Sequence, residues 1–169
     1  MTRGKKFEEE IGHSLKALSK SVPAFAYRNS NLPLPICDHL VWHNGRTYLL
    51  EEKETHSNSF SFGAITDKER KNLDDIIRAG GGSWVLIKWI SGNKSRVFAS
   101  RWLEWLTLEC CCGYDPEAKR QKRGSGSFTL EDHDRPRNFV ELDKVDRKDF
   151  AGHSLGRHWD LSPLFLEVL

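Results

Sequence analysis

Hydrophobic residues recur at helical spacing near the start of the chain. Phe7, Ile11, Leu15 and Leu18 fall on one stripe, which predicts an amphipathic helix over residues 3–20 that ends before Pro23. The run AFAYR, residues 24–28, reads as a short strand, and Pro33 and Pro35 mark an irregular stretch. Two β-prone runs then flank Asn44-Gly45, the strongest hairpin signal in the chain. Thr66 followed by Glu69 is a capping box. It opens a helix with apolar positions at Leu73, Ile76 and Ile77 that closes at Gly80, Gly81 and Gly82. SWVLIKWI reads as a buried strand, SRVFAS as another, and RWLEWLTLE as a helix. The order of helix, hairpin strands, helix and strands predicts a small mixed α/β domain.

Residues 1–112 carry these elements. Residues 113–127 hold Lys119, Arg120, Lys122 and Arg123 among Gly and Ser, and read as a flexible basic loop. Residues 128–169 end in LSPLFLEVL and are expected to pack back on the core, giving one domain overall. Cys37 and the adjacent Cys110, Cys111 and Cys112 lack the spacing of a zinc knuckle. They are expected to be small apolar residues in or near the core.

The hairpin permits a geometric deduction. With Asn44 and Gly45 as the turn, His43 faces Arg46, and pairing outward places Asp38 opposite Glu51 and Ile36 opposite Lys53. Alternation puts Asp38, Glu51 and Lys53 on one side, with Leu40, Trp42, Thr47 and Leu49. Cys37, His39, Val41, His43, Tyr48, Leu50 and Glu52 fall on the other. Two facing carboxylates repel unless a cation neutralises them, and oxygen donors suit Mg²⁺ or Mn²⁺. Lys53 puts an ammonium beside the same site, where it can orient a water or offset charge on a phosphate. An acid pair on a wet sheet face with Lys53 as counter-ion is the bland alternative. Glu8 borders the apolar stripe of the first helix and is a candidate third acid.

Charge changes the picture only slightly. The 169 residues carry 26 Lys and Arg against 24 Asp and Glu. That balance excludes a strongly basic, histone-like protein but not a local DNA-binding patch. No apolar run approaches a membrane span, and the charged start lacks the apolar core of a secretory signal. A cytoplasmic protein with no membrane partner is the expectation.

Asp38, the thirteen-position step to Glu51, then Glu52 and Lys53 resemble the PD-(D/E)XK nuclease signature. RGKKFEEEI resembles the opening of RecU-type Holliday junction resolvases, where an acid follows the Gly by four positions; that acid is Glu8 here. YLLEEKET resembles the family's second catalytic strand, and HSLGRHWDL its C-terminal segment. Three departures stand out. Cys37 occupies the place of the signature's Pro, and the long stalk insertion between the first helix and the catalytic Asp is missing. A Gln common in the following helix is replaced near Glu69, which the capping box already explains.

The resemblance implies a restriction-endonuclease-like PD-(D/E)XK core, a mixed central sheet flanked by helices. It implies one or two Mg²⁺ (or Mn²⁺) ions held by Asp38, Glu51, the Glu52 carbonyl and Glu8, with Lys53 positioning the attacking water. It implies an endonuclease that resolves four-way DNA junctions as a homodimer, in a bacterial cell or a phage-infected host. The alternatives are a restriction or repair nuclease on other DNA and a non-catalytic branched-DNA-binding protein. Candidate DNA contacts are Arg3, Lys5 and Lys6 before the site helix, and Lys68, Arg70 and Lys71 at the start of the second helix. Phe60 and Phe62 are candidate wedges at a branch point, and Arg157 and His158 are further candidates in the C-terminal segment.

Overall fold

A computed structural model of the chain describes residues 3–29, 36–112, 126–129 and 139–165. The amphipathic stripe forms α1 (Arg3–Ser19), followed by β1 (Phe25–Asn29), β2 (His39–His43) and β3 (Arg46–Thr55). Then come β4 (Ser59–Ser61), α2 (Asp67–Arg78), β5 (Gly82–Ser91), β6 (Lys94–Arg101) and α3 (Trp102–Cys111). The remainder supplies β7 (Ser127–Thr129), β8 (Phe139–Leu142), β9 (Lys144–Lys148), β10 (Ser154–Trp159) and a short α4 (Ser162–Phe165). Among the described residues, no helix is long and apolar enough to cross a membrane.

The protein is mixed α/β, with a central mixed sheet flanked by helices. The sheet runs β1-β2-β3-β5-β6-β8. Among the described residues only β3 and β5 pair in parallel, and α2 supplies their crossover. A parallel centre covered on both faces explains why β5 reads as one apolar run instead of an alternation. Trp84 and Leu86 pack under α1, whereas Val85 and Ile87 pack on the opposite face. The first face holds Phe7, Ile11, Leu15 and Leu18 against Val41, Tyr48 and Leu50, and takes in Leu161, Leu164 and Phe165 from the C-terminal segment. The second holds Leu49, Leu73, Trp102 and Trp105 with Phe60, Phe62 and Phe128.

The hairpin turn forms as its sequence requires. Asn44 and Gly45 both take positive φ, 49° and 75°, the conformation of a type I′ turn whose twist matches its strands. The ladder keeps the deduced register from His43–Arg46 to His39–Leu50 and stops there. Asp38 and Ile36 therefore have no ladder partners on β3. This corrects three expectations: Asp38 is not ladder-paired with Glu51, Ile36 is not paired with Lys53, and Cys37 packs with Leu49 and Leu73 instead of sharing the His39 face. Strand alternation cannot carry past the point where the strand ends.

Further corrections concern aromatics and thiols. Phe60 and Phe62 are buried, so they are not wedges for DNA. β4 pairs with β7, aligning Phe60 with Phe128, and the Phe60 and Phe62 rings meet Trp105 edge-on at 5.7 and 5.6 Å. Their burial contributes to the core of the second face. Cys110 and Cys111 are exposed at the end of α3, contrary to the core expectation, while Cys37 is buried and Cys112 half-buried. Of the expected basic loop, residues 113–125 lie outside the described residues, and Ser127 belongs to β7. Residues 166–169 also lie outside them.

Candidate active site

The site lies where β2 begins and β3 leaves it. Asp38 precedes the first ladder residue, and its Oδ2 accepts from the Glu52 backbone N–H at 2.7 Å. That bond replaces the next ladder rung and fixes the carboxylate beside β3. Glu51 is 3% exposed. Lys53, two positions on and therefore on the same face, donates from Nζ to Glu51 Oε1 at 2.5 Å and to Glu69 Oε1 at 3.0 Å.

Glu69 has two functions. Its Oε2 accepts from the Thr66 N–H at 2.8 Å, while the Thr66 hydroxyl accepts from the Glu69 N–H. The predicted capping box is complete. The same carboxylate reaches Lys53, so the first turn of α2 holds the ammonium in place. The capping pattern disclosed one half of this role; the other depends on how α2 packs across the sheet.

The electrostatics follow from burial and like charge. Burial, together with the Glu8 charge, pushes Asp38 up to about 6 despite the Glu52 N–H. Burial and the neighbouring Asp38 push Glu51 up to about 9, against the pull of Lys53. Burial opposes the charge on Lys53, but Glu51 and Glu69 outweigh it and hold the ammonium above its ordinary range. Burial likewise opposes the Glu69 charge, and the Thr66 N–H and Lys53 outweigh it and draw its carboxyl down. Lys53 is thus a cation at neutral pH, suited to donating hydrogen bonds and offsetting negative charge.

Glu8 is half-buried on α1, and its charge acts on Asp38, Glu52 and His39. Glu52 joins the site through its backbone. Its side chain points to the α1 face, where Oε1 lies 2.7 Å from His39 Nδ1. Burial pushes the Glu52 carboxyl well up and the His39 imidazole down. The two groups hydrogen-bond in a place where burial disfavours charge on either. His39 is buried, with its ring against Glu52.

Asp38 and Glu51 supply oxygen donors of the type that Mg²⁺ or Mn²⁺ takes, and their mutual repulsion is the kind that such a cation relieves. The donor set therefore fits a hard divalent ion. Among the described residues, no three His, Cys, Asp or Glu side chains stand close enough to hold one as placed. Binding would draw Asp38 and Glu51 together, with water and backbone oxygens completing the shell.

The candidate DNA contacts divide. Lys6, Lys68 and Lys71 are exposed, and Lys71 pairs with Asp75 along α2 at 2.5 Å. Arg3 and Lys5 lie in the first turns of α1, with side chains outside the described residues. Arg70 is not a DNA contact. It is buried and donates to both Glu109 carboxylate oxygens at 2.8 and 2.6 Å, and to the carbonyls of Phe62 and Ile65. The charge pattern placed it with Lys68 and Lys71, but helical rotation turns it inward to α3. Arg157 is exposed and His158 half-buried on β10.

No family model matches the chain, and no curated protein matches it. Among solved structures it is similar to that of Archaeoglobus fulgidus Hjc, a Holliday junction resolvase from an archaeal hyperthermophile. The identity is 19%, the match covers 54% of this chain and 72% of that one, and the TM-score is 0.37.

Proposed function

We propose that this chain is a divalent-metal-dependent DNA endonuclease that acts on four-way junctions as a homodimer. One observation carries the reading: the Lys53 ammonium bridges buried Glu51 and half-buried Glu69 beside Asp38. A surface ion pair would not need two acids pushed upward by burial. A site that gathers a divalent cation and then a phosphodiester uses that arrangement.

In this reading Asp38 and Glu51 hold the ion, with Glu8 strengthening the negative field. A bound ion would polarise the phosphodiester and favour hydroxide formation from water. Lys53 donates to the attacking water or to a phosphoryl oxygen, offsetting the charge that develops in the transition state. Glu69 keeps Lys53 charged and aimed. Water attacks phosphorus, the P–O3′ bond breaks, the water proton leaves to solvent and the 3′ oxygen takes one up. The products are a 5′-phosphate and a 3′-hydroxyl. Exposed Lys6, Lys68 and Lys71 supply phosphate contacts.

The test is incubation with a labelled four-way junction, linear duplex and single strands, with and without Mg²⁺. Paired symmetric nicks in the junction alone support the full proposal. Cleavage of linear duplex as fast as junction replaces it with a general nuclease. Binding without cleavage under any divalent ion removes the enzyme.

A further inference from the structure

We propose that the β9–β10 ribbon is a DNA-contacting arm that sets Phe150 against an unstacked base while its basic residues hold the flanking phosphates. The inference rests on the nuclease reading and adds an element by which branched DNA would be recognised.

The ribbon has a fixed base and a fixed tip. At the base, the Trp159 N–H donates to Ser14 Oγ at 3.2 Å and its indole N–H to Glu10 Oε2 at 3.3 Å, tying β10 to α1. Arg147 donates to Asp160 and Ser162, securing the strand beside it. At the tip, Asp149 Oδ1 accepts from the N–H groups of Ala151 and His153 at 2.9 and 2.8 Å. The Asp149 N–H donates to the His153 carbonyl at 2.9 Å, and Gly152 turns through φ of 85°. This closed turn presents Phe150 at 69% exposure, the most exposed large apolar side chain among the described residues. A ring held in water by an ordered turn is preorganised for a contact.

The surroundings of the ring select the partner. Lys148 is exposed next to the tip on β9 and Arg157 is exposed on the facing strand, while Lys144 sits at the base over the Trp159 ring at 4.6 Å. Asp146 lies between the two lysines and opposite Arg157. Lys16 and Lys20 of α1 border a shallow groove of about 130 Å³ against Leu155 and His158. Asp149 is engaged in the turn. A second protein surface that brought an apolar patch to Phe150 would leave the exposed Lys148 and Arg157 beside it unanswered. A polyanion with aromatic bases answers both features.

The test is binding by the full chain in EDTA to a four-way junction carrying 2-aminopurine at the branch, and to linear duplex. Phe150→Ala should weaken junction binding about tenfold and abolish the 2-aminopurine signal, with duplex affinity changed less than about twofold. Lys148→Ala with Arg157→Ala should weaken both complexes and lower the salt slope by about two. Wild-type junction affinity in Phe150→Ala overturns the arm. So does a shift of that variant from dimer to monomer in sedimentation, which assigns the tip to a protein contact. A wild-type chain that cuts junctions alongside an unaffected Phe150→Ala variant removes only the arm. A wild-type chain that neither binds nor cuts any DNA removes the nuclease reading as well.

Discussion

The Glu52 backbone N–H donates to Asp38 Oδ2 at 2.7 Å, and this bond separates two carboxylates with opposite fates. Asp38 stays on the Lys53 side, partly open to solvent. The Glu52 carboxyl turns to the α1 face and pairs with His39. Strand alternation then places Glu51 and Lys53 with Asp38. Substitution of the site residues should therefore separate catalysis from folding. Lys53→Ala and Glu51→Gln are each expected to reduce cleavage about 10²- to 10³-fold, with the melting temperature retained or raised in Glu51→Gln. Single-turnover cleavage and thermal melts check this. A Lys53→Ala enzyme that cuts at the wild-type rate would refute the mechanism.

Much of that relationship was legible in the chain. Asn44-Gly45 fixed the turn, and with it every pairing from His43–Arg46 to His39–Leu50. Thr66 and Glu69 announced the start of α2. Local patterns failed where an outcome depends on packing between distant segments. Arg70 looked like its exposed neighbours until Glu109, 39 positions away, supplied a buried partner. Phe60 and Phe62 read equally well as wedges or as packed residues, because β7, which packs against them, arrives only after α3.

The Glu51 shift carries a pH dependence. Its folded-state value of about 9 exceeds the ordinary glutamate value of 4.5, so the folded chain binds the proton more tightly than the unfolded chain. That contribution is complete below the unfolded value and disappears as pH rises through about 9. In EDTA, stability should decline from pH 5 to 9. Glu51→Gln should flatten the decline, and Mg²⁺ should oppose it by favouring the ionised carboxylate. Urea midpoints across this range, with and without Mg²⁺, provide the measurement. A pH-independent midpoint in the wild type would contradict the burial argument.

Arg70 and Glu109 form the buried tie between α2 and α3, and Glu69 is next to Arg70 in the chain. Removing one partner leaves a buried charge, at a cost of about 3–5 kcal/mol. Arg70→Met should thus lower stability sharply. Adding Glu109→Leu should recover only part, because the Phe62 and Ile65 carbonyls and the Trp105 indole N–H lose their partners too. Denaturation of both variants and the double variant tests this. Full recovery in the double variant would show that those groups find replacements. The cleavage rate of folded Arg70→Met should also fall, since the first turn of α2 carries the carboxylate that aims Lys53.

Phe62 and the α2 lysines should give opposite phenotypes. Phe62 is fully buried among Trp105 and Phe128, so Phe62→Ala should cost about 3–5 kcal/mol. At a temperature where the variant is folded, its DNA affinity should match the wild type. Lys68 and Lys71 are exposed, and their replacement by Ala should move stability by less than about 0.5 kcal/mol. If they touch phosphates, the double variant lowers the slope of log affinity against log salt by about two, with equal losses on junction and duplex. The same slope measured for Phe62→Ala should be unchanged, because a core side chain releases no counterions. A Phe62→Ala chain with wild-type stability and weakened junction binding would restore Phe62 as a wedge and overturn its assignment to the core.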